Sequence, residues 1–153
     1  MTSGLNVRRA AEADLDALVA LLGALFSIEA DFQPAPERQR RGLALLLGCG
    51  ARAAVLVAER QGAVVGMVTA QLVVSTAEGG LSAWLEDLVV LATERGRGAG
   101  RALVEAARAW AAERGAARLQ LLADRENTPA LAFYRRLGWA GTQLVCLRAR
   151  AHP

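Results

Sequence analysis

The densest chemistry in the chain is the run Arg95, Gly96, Arg97, Gly98, Ala99, Gly100 and Arg101, three arginines interleaved with three glycines. Glycines let a backbone approach an anion closely, and arginines add charge-assisted hydrogen bonds to phosphate oxygens. The run falls between a strand-like and a helix-like stretch. A helix N-terminus there would add free N–H groups and the positive end of the helix dipole. Together these features make a pyrophosphate cradle. A glycine-rich turn with solvated arginines is the plainer alternative. A P-loop is excluded, because no Gly-Lys-Ser/Thr follows. A dinucleotide fingerprint fits in neither frame, since the third glycine position is Arg101 counted from Gly96 and Leu103 counted from Gly98. Asp124 mimics the ribose-binding acid of such enzymes, but 153 residues are few for a dinucleotide enzyme with a substrate domain.

Two adjacent acids, Glu86 and Asp87, lie upstream of the loop in the strand-like stretch. On a regular strand Glu86 shares a face with Trp84, Leu88 and Val90, and Asp87 points the other way. Only one of the two can face a cleft unless the strand bulges. Downstream, Tyr134 is the single tyrosine of the chain. It is either a core ring beside Phe133 or the bearer of a useful hydroxyl. Asn127, just ahead of the same helix-like stretch, is either a cap or a ligand contact.

The elements that must hold these residues follow from periodicity and turn chemistry. Residues 6–10 predict a short strand, and the acidic Glu12 and Asp14 open a helix whose apolar face is Leu15, Leu18, Val19, Leu22, Leu25 and Phe26. Pro34 and Pro36 break that pattern, and residues 37–47 read as a second helix ending near Gly48 and Gly50. Three strands follow at 53–59, 63–75 and 81–91, joined by turns at Gln61-Gly62 and Glu78-Gly79-Gly80. They form an antiparallel meander. Residues 101–114 predict a helix with Leu103, Ala106, Ala107 and Trp110 inward and Gly115 as its stop. The strand at 118–123 is then parallel to the one before that helix, as a right-handed βαβ crossover requires. A last helix starts at Thr128-Pro129, presents Ala130, Phe133, Tyr134 and Leu137 on one face, and ends at Gly138 with Trp139 packing back. Residues 142–148 predict a final strand.

The loop, with its neighbours, resembles the acetyl-CoA motif of the GNAT superfamily of N-acetyltransferases, Arg/Gln-x-x-Gly-x-Gly/Ala, filled here by Arg95, Gly98 and Gly100. Leu85, Glu86, Asp87, Leu88, Val89 and Val90 resemble the family's fourth strand. Asn127, Ala130, Phe133, Tyr134, Arg135, Arg136, Leu137, Gly138 and Trp139 resemble its last helix and turn. The likeness is close from residue 81 to about residue 148, and covers the first 80 residues in element order only. It implies an α/β, GNAT-like three-layer fold with a central mixed, mainly antiparallel sheet flanked by helices. It also implies acetyl-CoA as co-substrate and direct transfer to an amine in a ternary complex.

The resemblance assigns roles residue by residue. Glu86 is the expected base, direct or through water, because an alkylamine with a pKa of ~10.4 must lose a proton before it attacks. Tyr134 is the expected acid for the departing thiolate. Backbone groups of Leu88, Val89 and Val90 are expected to meet the pantetheine arm and the thioester oxygen. Arg95, Gly96, Arg97, Gly98, Ala99, Gly100 and Arg101 are expected to hold the pyrophosphate, and Asn127 to contact CoA. The acceptor is expected to be a small-molecule amine such as a polyamine or amino acid. A protein amino group and a non-catalytic acyl-CoA sensor are the alternatives. Acceptor choice should come from the first two helices, around residues 26–32, and from the last strands; Glu29 and Asp31 suit a cationic amine, with a solvated helix end as the plainer alternative.

Bulk properties narrow the rest. A composition 54% hydrophobic and 22% charged suits one folded domain over residues 1–153. All 18 basic residues are arginine, the net charge is +3 and aromatics are 5%, so the arginines are dispersed and lack stacking platforms. No nucleic-acid partner is expected. No apolar run is long enough to span a bilayer, and the first residues lack the look of a leader, so a cytoplasmic protein without membrane contact is the expectation. A homodimer is the expected assembly. Cys49 and Cys146 show no ligand spacing and are expected to be reduced, partly buried thiols. His152 is the only histidine, so no metal site and no Ser-His-Asp triad is expected.

Overall fold

The computed structural model describes residues 4–29 and 31–152, so the leader reading of residues 1–3 and Ala30 of the 26–32 stretch lie outside the described residues. The chain divides into two compact units, Met1–Leu121 and Leu122–Pro153.

The first unit is built on a five-stranded sheet in the order β1-β2-β3-β4-β5. Its strands are β1 (Leu5–Arg9), β2 (Ala53–Arg60), β3 (Ala63–Ser75), β4 (Gly80–Val90) and β5 (Ala116–Leu121). The first four pair antiparallel and β5 joins β4 in parallel, so the sheet is mixed and mainly antiparallel. Gln61 and Gly62 both have positive φ, 53° and 79°, the two-residue turn that matches the twist of a tight hairpin. β2 is buried at seven of eight positions. Such a strand reads as one continuous apolar run because both of its faces are covered.

The helices are α1 (Leu15–Ile28), α2 (Pro36–Leu47) and α3 (Ala99–Glu113), with a 3-10 turn at Glu12–Asp14 leading into α1. Leu18, Leu21 and Leu22 of α1 and Leu43 of α2 join Val55, Val57, Met67 and Val89 in one buried cluster. α3 buries Ala99, Leu103, Val104, Ala107, Trp110 and Ala111. A Cβ on Gly66 would lie 3.1 Å from Leu103 Cδ1, whereas its neighbour Met67 belongs to the α1/α2 cluster. Adjacent strand residues face opposite ways, so α1 and α2 cover one face of the sheet and α3 the other.

The second unit holds α4 (Thr128–Arg136). Asn127 Oδ1 accepts from the Ala130 N–H at 3.2 Å, and a proline in the first turn has no N–H that would need an acceptor. The helix ends in a Schellman motif. Trp139 N–H donates to Tyr134 C=O at 3.0 Å, Gly138 N–H donates to Arg135 C=O at 3.0 Å, and Gly138 has φ 88°. The Tyr134 and Trp139 rings lie edge to face at 5.9 Å, the apolar contact that goes with that motif. The strand expected at 142–148 is not formed: residues 140–152 carry no regular element, and Leu144, Val145 and Leu147 are exposed. Alternation alone makes no strand without a ladder partner.

Candidate active site

β4 bulges at the two acids. Thr69 pairs with Glu86 and Met67 with Val89, so Asp87 and Leu88 together oppose the single residue Val68. Asp87 takes φ 55°, a left-handed conformation that costs a non-glycine residue energy and marks functional sites. Thr69 shares a face with Met67, on the side of α1, and Glu86 lies directly across from it. The Asp87 carboxyl also interacts with the Thr69 hydroxyl and feels Glu29 at the α1 end. The bulge thus brings both acids to one face, where a regular strand would separate them. Burial, then the negative charges of Glu86 and Glu29, push the Asp87 carboxyl from the ordinary 3.8 up to about 6, with the Thr69 hydrogen bond acting the other way.

The same strand outruns its parallel neighbour. The β4–β5 ladder ends at Leu85 with Leu121, the last residue of β5, whereas β4 continues through Val90. Leu91 N–H donates to Val65 C=O at 2.9 Å on the β3 side. Alternation therefore turns the amide and carbonyl of Val90 away from β3. The Val90 carbonyl accepts a long contact of 3.4 Å from Arg95 Nε. Beyond the last β5 pair, the β4 edge at Val90 is thus turned away from β3 and open to an extended ligand.

The arginine-glycine run forms the approach to α3. Gly96 and Gly98 have φ 73° and 90°, conformations an L side chain rarely adopts, and a Cβ on either would meet nothing within 4 Å. The space over the loop is open at both. Gly98 caps α3, whose first helical bond runs from Ala102 N–H to Gly98 C=O at 3.0 Å. The helix therefore offers no acceptor to the amides of Ala99, Gly100 and Arg101. Arg97 pairs with Glu94 at 3.0 Å and Arg101 with Glu105 at 2.8 Å. The Arg101–Glu105 pair, exposed on both sides, is weak, so a phosphate can replace that carboxylate, and Arg97 is itself exposed and can add a phosphate to its Glu94 contact. Open glycines, helix amides and three guanidiniums fit a pyrophosphate.

Asn127 and Tyr134 belong to the second unit and are described within it. Asn127 spends its carbonyl oxygen on the α4 cap. Tyr134 is half-buried between the Phe133 and Trp139 rings, at centroid distances of 5.2 and 5.9 Å. Both cysteines are free and exposed rather than partly buried, Cys49 in the turn after α2 and Cys146 in the irregular tail. Among the described residues no group of three His, Cys, Asp or Glu side chains is placed to hold a metal ion, and no helix is long and apolar enough to cross a membrane.

Sequence reasoning missed Asp87 as a partner of Glu86, since nothing in Leu85-Glu86-Asp87-Leu88 announces a bulge. It missed Thr69, whose hydroxyl donates to Glu86 C=O at 3.1 Å. It also missed Gly66, where a Cβ would sit 3.0 Å from the Val89 carbonyl oxygen. A glycine inside a strand pattern is the one signal that marks such a close approach.

Comparison with known proteins agrees with this fold. The model of the Acetyltransferase (GNAT) family matches residues 22–139. Streptothricin acetyltransferase of Streptomyces lavendulae is 44% identical over 64 residues, 39% of this chain and 34% of that protein, so the match spans about a third of the curated relative. A putative acetyltransferase from Agrobacterium tumefaciens str. C58 superposes with a TM-score of 0.81 at 25% identity, covering 95% of this chain and 99% of that one. An aminoglycoside acetyltransferase from an uncultured soil metagenomic sample superposes with a TM-score of 0.78 at 26% identity, covering 97% of each chain. With its α/β fold, bulged fourth strand and glycine-arginine loop, the chain belongs to the GNAT family of acetyltransferases, a family that uses acetyl-CoA.

Proposed function

We propose that this enzyme, acting as one domain over residues 1–153, transfers an acetyl group from acetyl-CoA to a primary amine of a small, cationic molecule. Transfer is direct, in a ternary complex. The observation that carries the reading is the β4 bulge, which sets Glu86 and Asp87 on one face at the point where the β5 ladder ends.

The loop from Arg95 to Arg101 and the Asn127 amide bind CoA, and Leu88 to Val90 receive the pantetheine arm as an added strand. Backbone amides of that segment stabilise the thioester oxygen as it gains negative charge. Glu86 takes the proton of the ammonium, directly or through water, and the freed nitrogen pair attacks the thioester carbon. The C–S bond breaks as Tyr134 gives its proton to the departing sulfur, and the second proton of the attacking nitrogen passes to the phenolate, which leaves a neutral amide and restores Tyr134. Asp87 and Glu29 draw the ammonium in. A carboxylate cluster suits an acceptor with more than one amine, which favours the amine class named for the aminoglycoside and streptothricin relatives over an amino acid.

The test is thiol release from acetyl-CoA across a panel of aminoglycosides, streptothricin, polyamines, amino acids and lysine peptides. Turnover should be greatest with a polyamine-bearing small molecule. Turnover confined to peptides would move the acceptor to a protein amino group. Tight CoA binding with no turnover on any amine would make the protein a sensor.

A further inference from the structure

Arg60 is the last residue of β2 and, among the described residues, the one buried arginine, 6% exposed. A cation out of water needs a partner, and Glu94, itself 15% exposed at the side chain, accepts from Arg60 Nε at 2.8 Å. Glu94 ends the short 3-10 turn Ala92–Glu94 that joins β4 to the loop. Its other oxygen accepts from Arg97 at 3.0 Å. A second nitrogen of Arg60 reaches the Arg97 carbonyl at 3.4 Å. One guanidinium on the sheet therefore grips the loop twice, through the Glu94 carboxylate and through a backbone oxygen.

We propose that Arg60 is a positioning residue for the pyrophosphate loop. The inference rests on the reading of that loop as the CoA site. In a trans peptide the C=O and the following N–H point in opposite directions. With the Arg97 carbonyl held towards Arg60, the Gly98 N–H is turned away from the sheet and out to the ligand side. Glu94 meanwhile holds the Arg97 guanidinium beside the cradle instead of leaving it to sweep through solvent. Electrostatic sites work best when their dipoles are fixed before the anion arrives. A buried ion pair is a poor device for stability alone, since an apolar pair of similar volume is often as good. Its use at the root of this loop is explained by the geometry it sets.

The experiment compares two acetyl donors, acetyl-CoA and S-acetylpantetheine, which lacks the pyrophosphate. Arg60→Lys keeps the charge opposite Glu94 but loses the fork that reaches both acceptors. It should raise the Kd for CoA and the KM for acetyl-CoA roughly ten-fold, as expected for losing a hydrogen bond from a charged group. Its kcat should hold, and its kcat/KM with S-acetylpantetheine should match wild type. Because Arg60 is buried, a double variant, Arg60→Met with Glu94→Met, leaves no buried charge unpaired, only the exposed Arg97 losing its carboxylate partner, and carries the same expectation. Equal losses with both donors, or full CoA affinity in both variants, would overturn the role of Arg60. Wild-type protein that binds no CoA would instead remove the loop reading beneath it.

Discussion

At the residue scale the site is a matter of two carboxyls and a phenol. Asp87, pushed up to about 6 by burial and by Glu86 and Glu29, is neutral in mild acid and charged at neutral pH. The KM for a cationic amine should therefore fall as pH rises through about 6. Asp87→Asn should flatten that dependence; a KM profile identical to wild type would show that Asp87 does not meet the amine. The stability effect has a definite sign. A carboxyl raised in the folded state holds its proton between 3.8 and about 6, where the unfolded chain has lost it. Its contribution therefore falls as pH rises through that window. Asp87→Asn should accordingly gain stability on wild type above pH 6, measured by urea unfolding at two pH values. Tyr134→Phe should lower kcat by roughly 10²-fold and leave the KM for acetyl-CoA nearly unchanged, because a general acid acts mainly in the transition state. Loss of Tm with normal kcat would make the ring, rather than the hydroxyl, the reason for the tyrosine.

At the element scale, β4 carries the bulge, the free edge and the entry to the loop, and it is braced from β3. Gly66→Ala would place a Cβ 3.0 Å from the Val89 carbonyl, 3.1 Å from Leu103 Cδ1 and 3.2 Å from Val90 Cγ2. Overpacking of this kind costs roughly 1–3 kcal/mol. It should lower Tm by several degrees and weaken CoA binding by shifting the loop root; an unchanged Tm would mean the sheet yields there freely. The limits of β3 were legible in the sequence, because Gln61-Gly62 and the glycines after Ser75 punctuate it. α4 was legible too, from Asn127, Pro129 and Gly138. The bulge was not, because it depends on register between β3 and β4 and not on residue type. The strand expected at 142–148 failed for a related reason: Leu144, Val145 and Leu147 have strand character, but pairing is a tertiary fact.

At the scale of the whole molecule, periodicity and turn residues foretold the α/β layers, while the ties between distant elements stayed hidden. Arg8 in β1 grips Asp14 with two bonds of 2.8 and 3.0 Å and also reaches Glu59 on β2. Its hydrogen bonds hold the Asp14 carboxyl below the ordinary 3.8. A depressed carboxyl contributes stability above its unfolded value and loses it as pH falls through the folded one. Asp14→Asn should thus cost about 1–3 kcal/mol at neutral pH and little in strong acid; a constant penalty across pH would deny the ion pair its role. The three signatures that made the family recognisable are local: strand acids, loop and last helix. The positioning contacts of Arg60, Thr69 and Gly66 span elements far apart in sequence, so no spacing rule exposes them. The central claim, that the loop from Arg95 to Arg101 holds CoA, is tested most directly by calorimetric titration of CoA into wild type and Gly100→Glu. Bulk and negative charge placed in the cradle should abolish binding, with the circular dichroism spectrum unchanged. Undiminished CoA affinity in folded Gly100→Glu would contradict the account.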